Sequence, residues 1–119
     1  MNIQQRLTDF SYLKKIAPPG SGLVEEMIDL FIENIPGYVE DITISYQAND
    51  PDALRQVAHK MKSSVNYMGI ESLYLMLQDL EYQATQTESL ENLKPSIDRI
   101  CEMSRQALKE LHHVKNNRY

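Results

Sequence analysis

The sequence lacks the features that stabilise small secreted proteins or anchor a chain in a membrane. Cys101 is its only cysteine, which excludes an internal disulfide and a metal site built from several cysteines. No apolar run approaches the roughly 20 residues that cross a bilayer, and the N-terminus has no apolar stretch of the signal-peptide kind. We therefore expect a cytoplasmic protein that does not associate with membranes.

Glycine and basic residues are also few. The four glycines are scattered, so the sequence offers no glycine-rich loop of the kind that cradles the phosphates of a nucleotide. The formal net charge is −5, whereas general binding to nucleic acid requires a basic excess that displaces counterions from phosphates. We therefore expect no nucleic-acid partner.

The apolar residues that are present follow the period of a helix. The chain of 119 residues, 42% of them hydrophobic, is long enough for one domain, because this length removes about two-thirds of the unfolded surface from water. Apolar residues recur at intervals of three and four, and no strand-like alternation competes with them. We predict a single all-α domain over residues 1–119.

Proline and glycine divide this helical pattern. The segment Ala17-Pro18-Pro19-Gly20 is predicted to stop the first helix, and the pair Pro36-Gly37 to break or kink the path. This leaves short N-terminal helices within about residues 8–35. Four amphipathic segments joined by short loops follow within about residues 37–115, and the polar tail 116–119 is expected to fray. The prediction is a monomeric antiparallel four-helix bundle with the short N-terminal helices covering one end.

One bundle segment, from Pro51 to about Tyr67, has clear boundary signals. Asp50 is suited to cap its N-terminus, proline is tolerated in a first turn, and Gly69 is expected to end it. His59 lies about 200° around the helix from the apolar residues two positions away on either side, so it is predicted to point away from the core. The predicted buried stripe consists of Leu54, Val57, Ala58, Met61, Ser64, Val65 and Met68.

The exposed face around His59 is predicted to carry positive charge. No acidic residue occurs between Asp52 and Glu71. A neutral imidazole offers one ring nitrogen whose lone pair can attack phosphorus, and Lys62, one turn away, could neutralise charge on phosphoryl oxygens. His59 is therefore interpreted as a phosphoryl acceptor on a docking surface, with an ordinary surface histidine as the alternative. The residues predicted to face a partner are Arg55, Gln56, Lys60, Ser63, Asn66 and Tyr67.

A metal centre is the other chemistry that a helical bundle can hold. A di-metal carboxylate site needs inward-facing Glu-x-x-His on two helices and two further acids. Only Glu110-Leu-His-His113 fits this pattern, and it lies in the last turns of the last helix. We interpret it as a solvated helix end and predict no metal site.

The residues around His59 resemble the signature of the histidine phosphotransfer (HPt) domain of bacterial phosphorelays. The stretch from His59 to Gly69 aligns without a gap to His-x-Leu-Lys-Gly-Ser-Ser followed after three residues by Gly. Downstream, Leu73 and the pair Leu80-Glu81 fall where the family has a leucine and a Leu-Glu pair; upstream, Asp50, Leu54 and Ala58 approximate a further family pattern. The resemblance extends over about residues 9–115.

The resemblance implies a helical bundle and a specific chemistry. His59 would be phosphorylated on the ring nitrogen farther from the backbone, and Lys62 matches the family lysine that contacts the phosphoryl group. Ser63 replaces the glycine that keeps this surface open. The implied partners are the receiver domains of response regulators and a hybrid sensor histidine kinase. The chain would carry no cofactor of its own, because the receiver brings Mg²⁺.

Two other functions stay open from the sequence. The chain could be a binding-only helical adaptor that docks a receiver or kinase without phosphoryl transfer, or a metal-dependent bundle enzyme. The resemblance favours a phosphoryl carrier that takes a phosphoryl group from a phosphoaspartate and passes it to another receiver. Such a carrier is not an independent kinase.

Overall fold

The computed structural model describes residues 6–117, and these form helices but no strand. The α-helices are α1 (Ser11–Ile16), α2 (Leu23–Gln47), α3 (Pro51–Tyr67), α4 (Glu71–Gln86) and α5 (Lys94–Asn117), and a 3-10 helix (Leu90–Leu93) leads directly into α5. The prediction of an all-α fold is confirmed. Within the described residues, no helix combines the length and the apolarity that a membrane span requires.

The four long helices form an antiparallel bundle. α3 packs against α2 and α4, and α5 closes the bundle by packing against the same two helices. Connections of three residues, 48–50 and 68–70, join α2 to α3 and α3 to α4, so these consecutive helices run in opposite directions. The fully buried side chains between the helices include Ile28, Ile35, Ile42, Leu54, Met61, Leu73, Leu77 and Leu80.

A break at Pro36 and Gly37, one of the two predicted outcomes, is wrong, because α2 continues through both residues. Proline has no N–H and costs this helix the hydrogen bond to the carbonyl four residues earlier. Ile35 and Ile42, on either side of the predicted break, are both fully buried in the same core. Burial of apolar side chains on both halves outweighs the lost hydrogen bond. One short helix, α1, therefore precedes the bundle, and the first bundle helix begins at Leu23.

The start of α3 follows the sequence prediction. The side chain of Asp50 accepts a hydrogen bond of 3.1 Å from the backbone N–H of Ala53, and Pro51 occupies the first turn. A capping carboxylate satisfies one of the backbone donors that every helix leaves free at its N-terminus. The boundaries of the helix that carries His59 are thus fixed locally.

The segment before α1 is bound to the bundle at two points. The carboxylate of Glu110 accepts hydrogen bonds of 2.8 Å from the backbone N–H groups of Leu7 and Thr8, and the Thr8 hydroxyl donates to it as well. The N–H of Asp9 donates to the carbonyl oxygen of Met68, at 2.9 Å. The interpretation of Glu110 as part of a solvated helix end is therefore wrong, because it binds backbone more than 100 residues away in the sequence.

Gly69 joins α3 to α4 beside this N-terminal segment. Its φ is +66°, in the left-handed region that glycine adopts without steric cost. A Cβ atom at this position would overlap the carbonyl oxygen of Asp9 and lie 2.9 Å from the carbonyl carbon of that residue. Both the backbone conformation and the close approach of Asp9 thus require glycine here.

We expect Gly69→Ala to lower the free energy of unfolding by about 2–4 kcal/mol, because the methyl group meets backbone and the residue keeps a positive φ. Gly37→Ala is the matched control, since its Cβ would have no neighbour within 4 Å and its φ is not positive. Alanine is favoured over glycine inside a helix, so this control should be neutral or stabilise by about 0.5–1 kcal/mol. Urea denaturation of both variants measures the difference, and equal stabilities would contradict the close approach of Asp9 to Gly69.

Candidate functional site

His59 lies in the middle of α3 with its side chain 66% exposed. Val57, Ala58 and Met61 turn inward and are all buried, whereas Lys60 is exposed like His59. The buried stripe predicted from the sequence is confirmed at these positions, and the exposure of His59 follows from it. The imidazole is therefore accessible to a macromolecular partner.

One nitrogen of the imidazole is held by the neighbouring helix. Nδ1 of His59 lies 2.9 Å from Oε1 of Glu81, which projects from α4. An ionised carboxylate only accepts hydrogen bonds, so in the neutral imidazole Nδ1 carries the proton and donates it to Glu81. This assigns the lone pair of the ring to Nε2, the nitrogen farther from the backbone.

Lys62 binds the other oxygen of the same carboxylate. Its Nζ lies 2.8 Å from Oε2 of Glu81 and 5.8 Å from the centre of the Tyr74 ring. Oε2 is buried and accepts no hydrogen bond of standard geometry from the described residues, so its contact with the ammonium group is ionic. The side chains of Lys62 and Glu81 are only 18% and 20% exposed, which makes this pair less screened than a surface ion pair.

The charge of Glu81 is maintained by its two partners. Burial raises the pKa of its carboxyl, and the contacts with Lys62 and His59 lower it by more, so the pKa lies below the ordinary value of 4.5. Glu81 is therefore ionised at neutral pH. Its carboxylate binds the N–H of the His59 imidazole and the ammonium group of Lys62, both on α3.

The patch of positive charge predicted around His59 also contains a carboxylate, which the prediction left out. Glu81 is 22 residues away in the sequence, yet it brings a carboxylate into direct contact with the imidazole. Asp52 likewise accepts hydrogen bonds from Arg55, at 2.9 Å, and from Gln56, at 2.8 Å. A count of charges along α3 alone missed the acid from α4, so the local charge is closer to balanced than the sequence indicated.

The residues predicted to face a partner lie along one side of α3. Arg55 is half-buried, and the other five are exposed. The structure brings His59 and Lys62 together through Glu81, whereas the remaining positions flank the imidazole and form no hydrogen bond or ion pair with it. Their roles toward a partner stay predictions. The exposed five are Gln56, Lys60, Ser63, Asn66 and Tyr67.

An aromatic groove continues from this surface past the end of α3. The rings of Tyr12 and Tyr67 lie 6.1 Å apart at an interplanar angle of 37°. A groove of about 540 Å³ lies beside this ring pair, and Tyr12, Tyr74 and Leu75 line it together with polar and acidic residues such as Asp9 and Glu71. Tyr12 and Leu75 are half exposed, so the polar face around His59 is bordered by accessible apolar surface.

Glu81 is the site residue that sequence reasoning missed. The pair Leu80-Glu81 was noted as part of the family resemblance, but no role was inferred for the glutamate. The available signal was its position one residue after the buried Leu80, on a helix that follows α3 after a short turn. Among residues 6–117, no cluster of three or more histidine, cysteine or acidic side chains could hold a metal ion.

Comparison with known proteins agrees with this geometry. Residues 26–116 match the family model described as the Hpt domain. The fold is similar to that of the HPT domain from the Hpt sensor hybrid histidine kinase from Shewanella, with a TM-score of 0.81 and 20% sequence identity over 93% of this chain and 95% of that one. No curated protein matches the chain significantly. Because the family model covers most of the sequence, the chain belongs to the Hpt domain family, which has a phosphotransfer function in two-component systems.

Proposed function

We propose that His59 accepts a phosphoryl group from the phosphoaspartate of a receiver domain and passes it to another receiver. The observation that carries this proposal is the hydrogen bond between Nδ1 of His59 and Glu81, at 2.9 Å. It leaves Nε2 of a 66% exposed side chain as the nucleophile. The family match supports the same role, since Hpt domains are phosphoryl carriers.

In the proposed step, the lone pair of Nε2 forms a bond to phosphorus as the bond from phosphorus to the aspartate oxygen breaks. The electron pair of that bond stays on the receiver's carboxylate. The ring becomes positively charged while Nδ1 keeps its proton, and the carboxylate of Glu81 stabilises this charge. Transfer to the second receiver is the reverse of this step on another aspartate.

Lys62 has two functions in this proposal. In the unphosphorylated protein it balances the charge of Glu81, to which it is bound at 2.8 Å. After transfer, its ammonium group is close enough along the helix face to attract the phosphoryl oxygens one turn away. The lysine would then be shared between the carboxylate and the phosphoryl group.

The partner is proposed to supply the metal ion and the phosphoryl group. Phosphoryl transfer uses a metal ion to neutralise the transferring group, and we infer that Mg²⁺ is bound by the receiver domain. The receiver docks on the face formed by Arg55, Gln56, Lys60, Ser63, Asn66 and Tyr67, and the aromatic groove beyond Tyr67 provides apolar contact. A hybrid sensor histidine kinase is the proposed source of the phosphoryl group. The chain acts as a monomeric carrier and not as an independent kinase.

His59→Gln should abolish phosphoryl acceptance without unfolding the protein, because the side chain is exposed and contributes little to packing. Incubation with a phosphorylated receiver and Mg²⁺, followed by intact-mass and peptide-level detection of an acid-labile phosphate, measures acceptance. His112→Gln is the matched control, since His112 is also exposed on a helix. Acceptance by the His59 variant would refute the site, and failure of the folded parent with several receivers would favour a binding-only adaptor.

Lys62→Ala should slow acceptance roughly tenfold without eliminating it, because one electrostatic contact of about 1.4 kcal/mol is lost from the transition state. Rapid-quench measurement of transfer from a phosphorylated receiver gives the rate. Lys109→Ala is the control, since this exposed lysine lies on α5. An unchanged rate for Lys62→Ala would exclude a role for the lysine in transfer.

Glu81 should make stability depend on pH in the acidic range. Its folded-state pKa lies below the ordinary 4.5, so its ionised form stabilises the folded protein above that pH, and this stabilisation is lost as the pH falls through the folded-state value. The stability difference between the parent and Glu81→Gln should therefore be largest above pH 4.5 and shrink below it. Urea denaturation at a series of pH values measures it. Lys62→Met, which removes one cause of the lowered pKa, should show a weaker pH dependence; a difference that grows toward low pH would contradict the pairing.

A further inference from the structure

Ser63 lies one helical turn after His59 on the same exposed face of α3. Residues four apart on a helix have Cβ atoms about 5–6 Å from one another. Every Cα–Cβ bond of an α-helix tilts toward the N-terminus, so the side chain of Ser63 leans toward the imidazole and not away from it. The Ser63 side chain therefore lies on the same side of α3 as the imidazole, one turn from it.

Three of the polar groups on this face of α3 already have partners. Arg55 and Gln56 both donate to Asp52, and Lys62 is bound to Glu81. The Ser63 hydroxyl makes no hydrogen bond with the described residues. The Ser63 hydroxyl is therefore an uncommitted donor one helical turn from the imidazole.

Some helical hydroxyls of this protein bond to the preceding turn, whereas that of Ser63 does not. Thr43 donates to the carbonyl oxygen of Val39, and Ser104 donates to that of Ile100, each four residues earlier. Serine and threonine side chains within helices often form such a hydrogen bond to the preceding turn. Ser63 does not bond to the carbonyl of His59 in this way, so its O–H is available to a ligand.

We propose that Ser63 is a phosphoryl-binding residue, whose hydroxyl donates a hydrogen bond to a phosphoryl oxygen on phosphorylated His59. This inference rests on the proposed function and adds a second contact to the phosphoryl group besides Lys62. A hydrogen bond to a charged acceptor is stronger than one between neutral groups. Ser63 therefore favours the dianionic form of the phosphoryl group over the monoanionic form.

A chemical donor allows a test without a receiver domain. Phosphoramidate transfers its phosphoryl group to imidazole: the Nε2 lone pair forms the new bond to phosphorus, the P–N bond of the donor breaks, and the nitrogen leaves as ammonia. The phosphorylated parent, Ser63→Ala and Ser63→Thr proteins are then titrated and followed by ³¹P NMR. The charged groups around the imidazole stay in place in every variant: Asp52, Arg55, Lys60, Lys62 and Glu81.

The pKa of the phosphoryl group should be higher by about 0.5–1 in Ser63→Ala than in the parent, because the dianion has lost a donor. Ser63→Thr keeps a hydroxyl and should restore the parent value. Ser64→Ala is the matched control. Ser64 lies about 140° around the helix from His59, so this substitution should leave the titration unchanged.

The possible results separate this inference from the proposed function. Equal titration curves for the parent and Ser63→Ala, with phosphate on His59 in both, would overturn the role of Ser63 and leave phosphoryl acceptance intact. A shift in Ser64→Ala as large as that in Ser63→Ala would overturn it too, because the effect would not be specific to the hydroxyl beside the imidazole. A folded parent that takes no phosphate on His59 would overturn both.

Discussion

The half-buried carboxylate of Glu81 is the interaction on which the arrangement of this surface depends. A carboxylate removed from water must be paired, or its charge becomes costly. Glu81 satisfies this requirement with two groups from α3, the imidazole of His59 and the ammonium of Lys62. The same pairing fixes which nitrogen of the imidazole carries the proton. A requirement for the stability of the bundle thereby determines the nucleophile of the proposed reaction.

This pairing depends in turn on how α3 and α4 are joined. The two helices are connected through Gly69, whose positive φ and contact with the Asp9 carbonyl leave no room for another side chain. The N-terminal segment that approaches Gly69 is itself bound by Glu110 on α5. Residues far apart in the sequence therefore hold the turn that sets the register between His59 and Glu81.

Local sequence patterns were sufficient to predict the ends of α3 and the exposure of His59. The boundaries of α3 follow from Asp50, Pro51 and Gly69, and the exposure of His59 follows from the apolar residues around it. The continuity of α2 through Pro36 was missed, because burial of Ile35 and Ile42 in the core outweighs a local breaking signal.

The contacts of the site were less predictable for a related reason. Glu81 and Glu110 accept hydrogen bonds from groups 22 and more than 100 residues away in the sequence. The spacing of apolar residues along one helix does not predict which side chains from different helices will meet. The sequence of α3 alone does not report the charge around His59, because the nearest acid comes from α4. What the sequence could supply was the family resemblance, which placed Leu80-Glu81 in the pattern without giving it a role.

The attachment of the imidazole to a helix other than its own gives the hydrophobic core a part in the chemistry. The orientation of Nε2 is set by the relative position of α3 and α4, and that position is set by buried side chains such as Met61 and Leu77. A small sliding of one helix along the other would leave both helices intact and yet release the ring from its acceptor. Packing in the interior of the bundle therefore orients a reactive atom on its surface. Substitutions at buried positions are constrained by the reactivity of His59 as well as by folding.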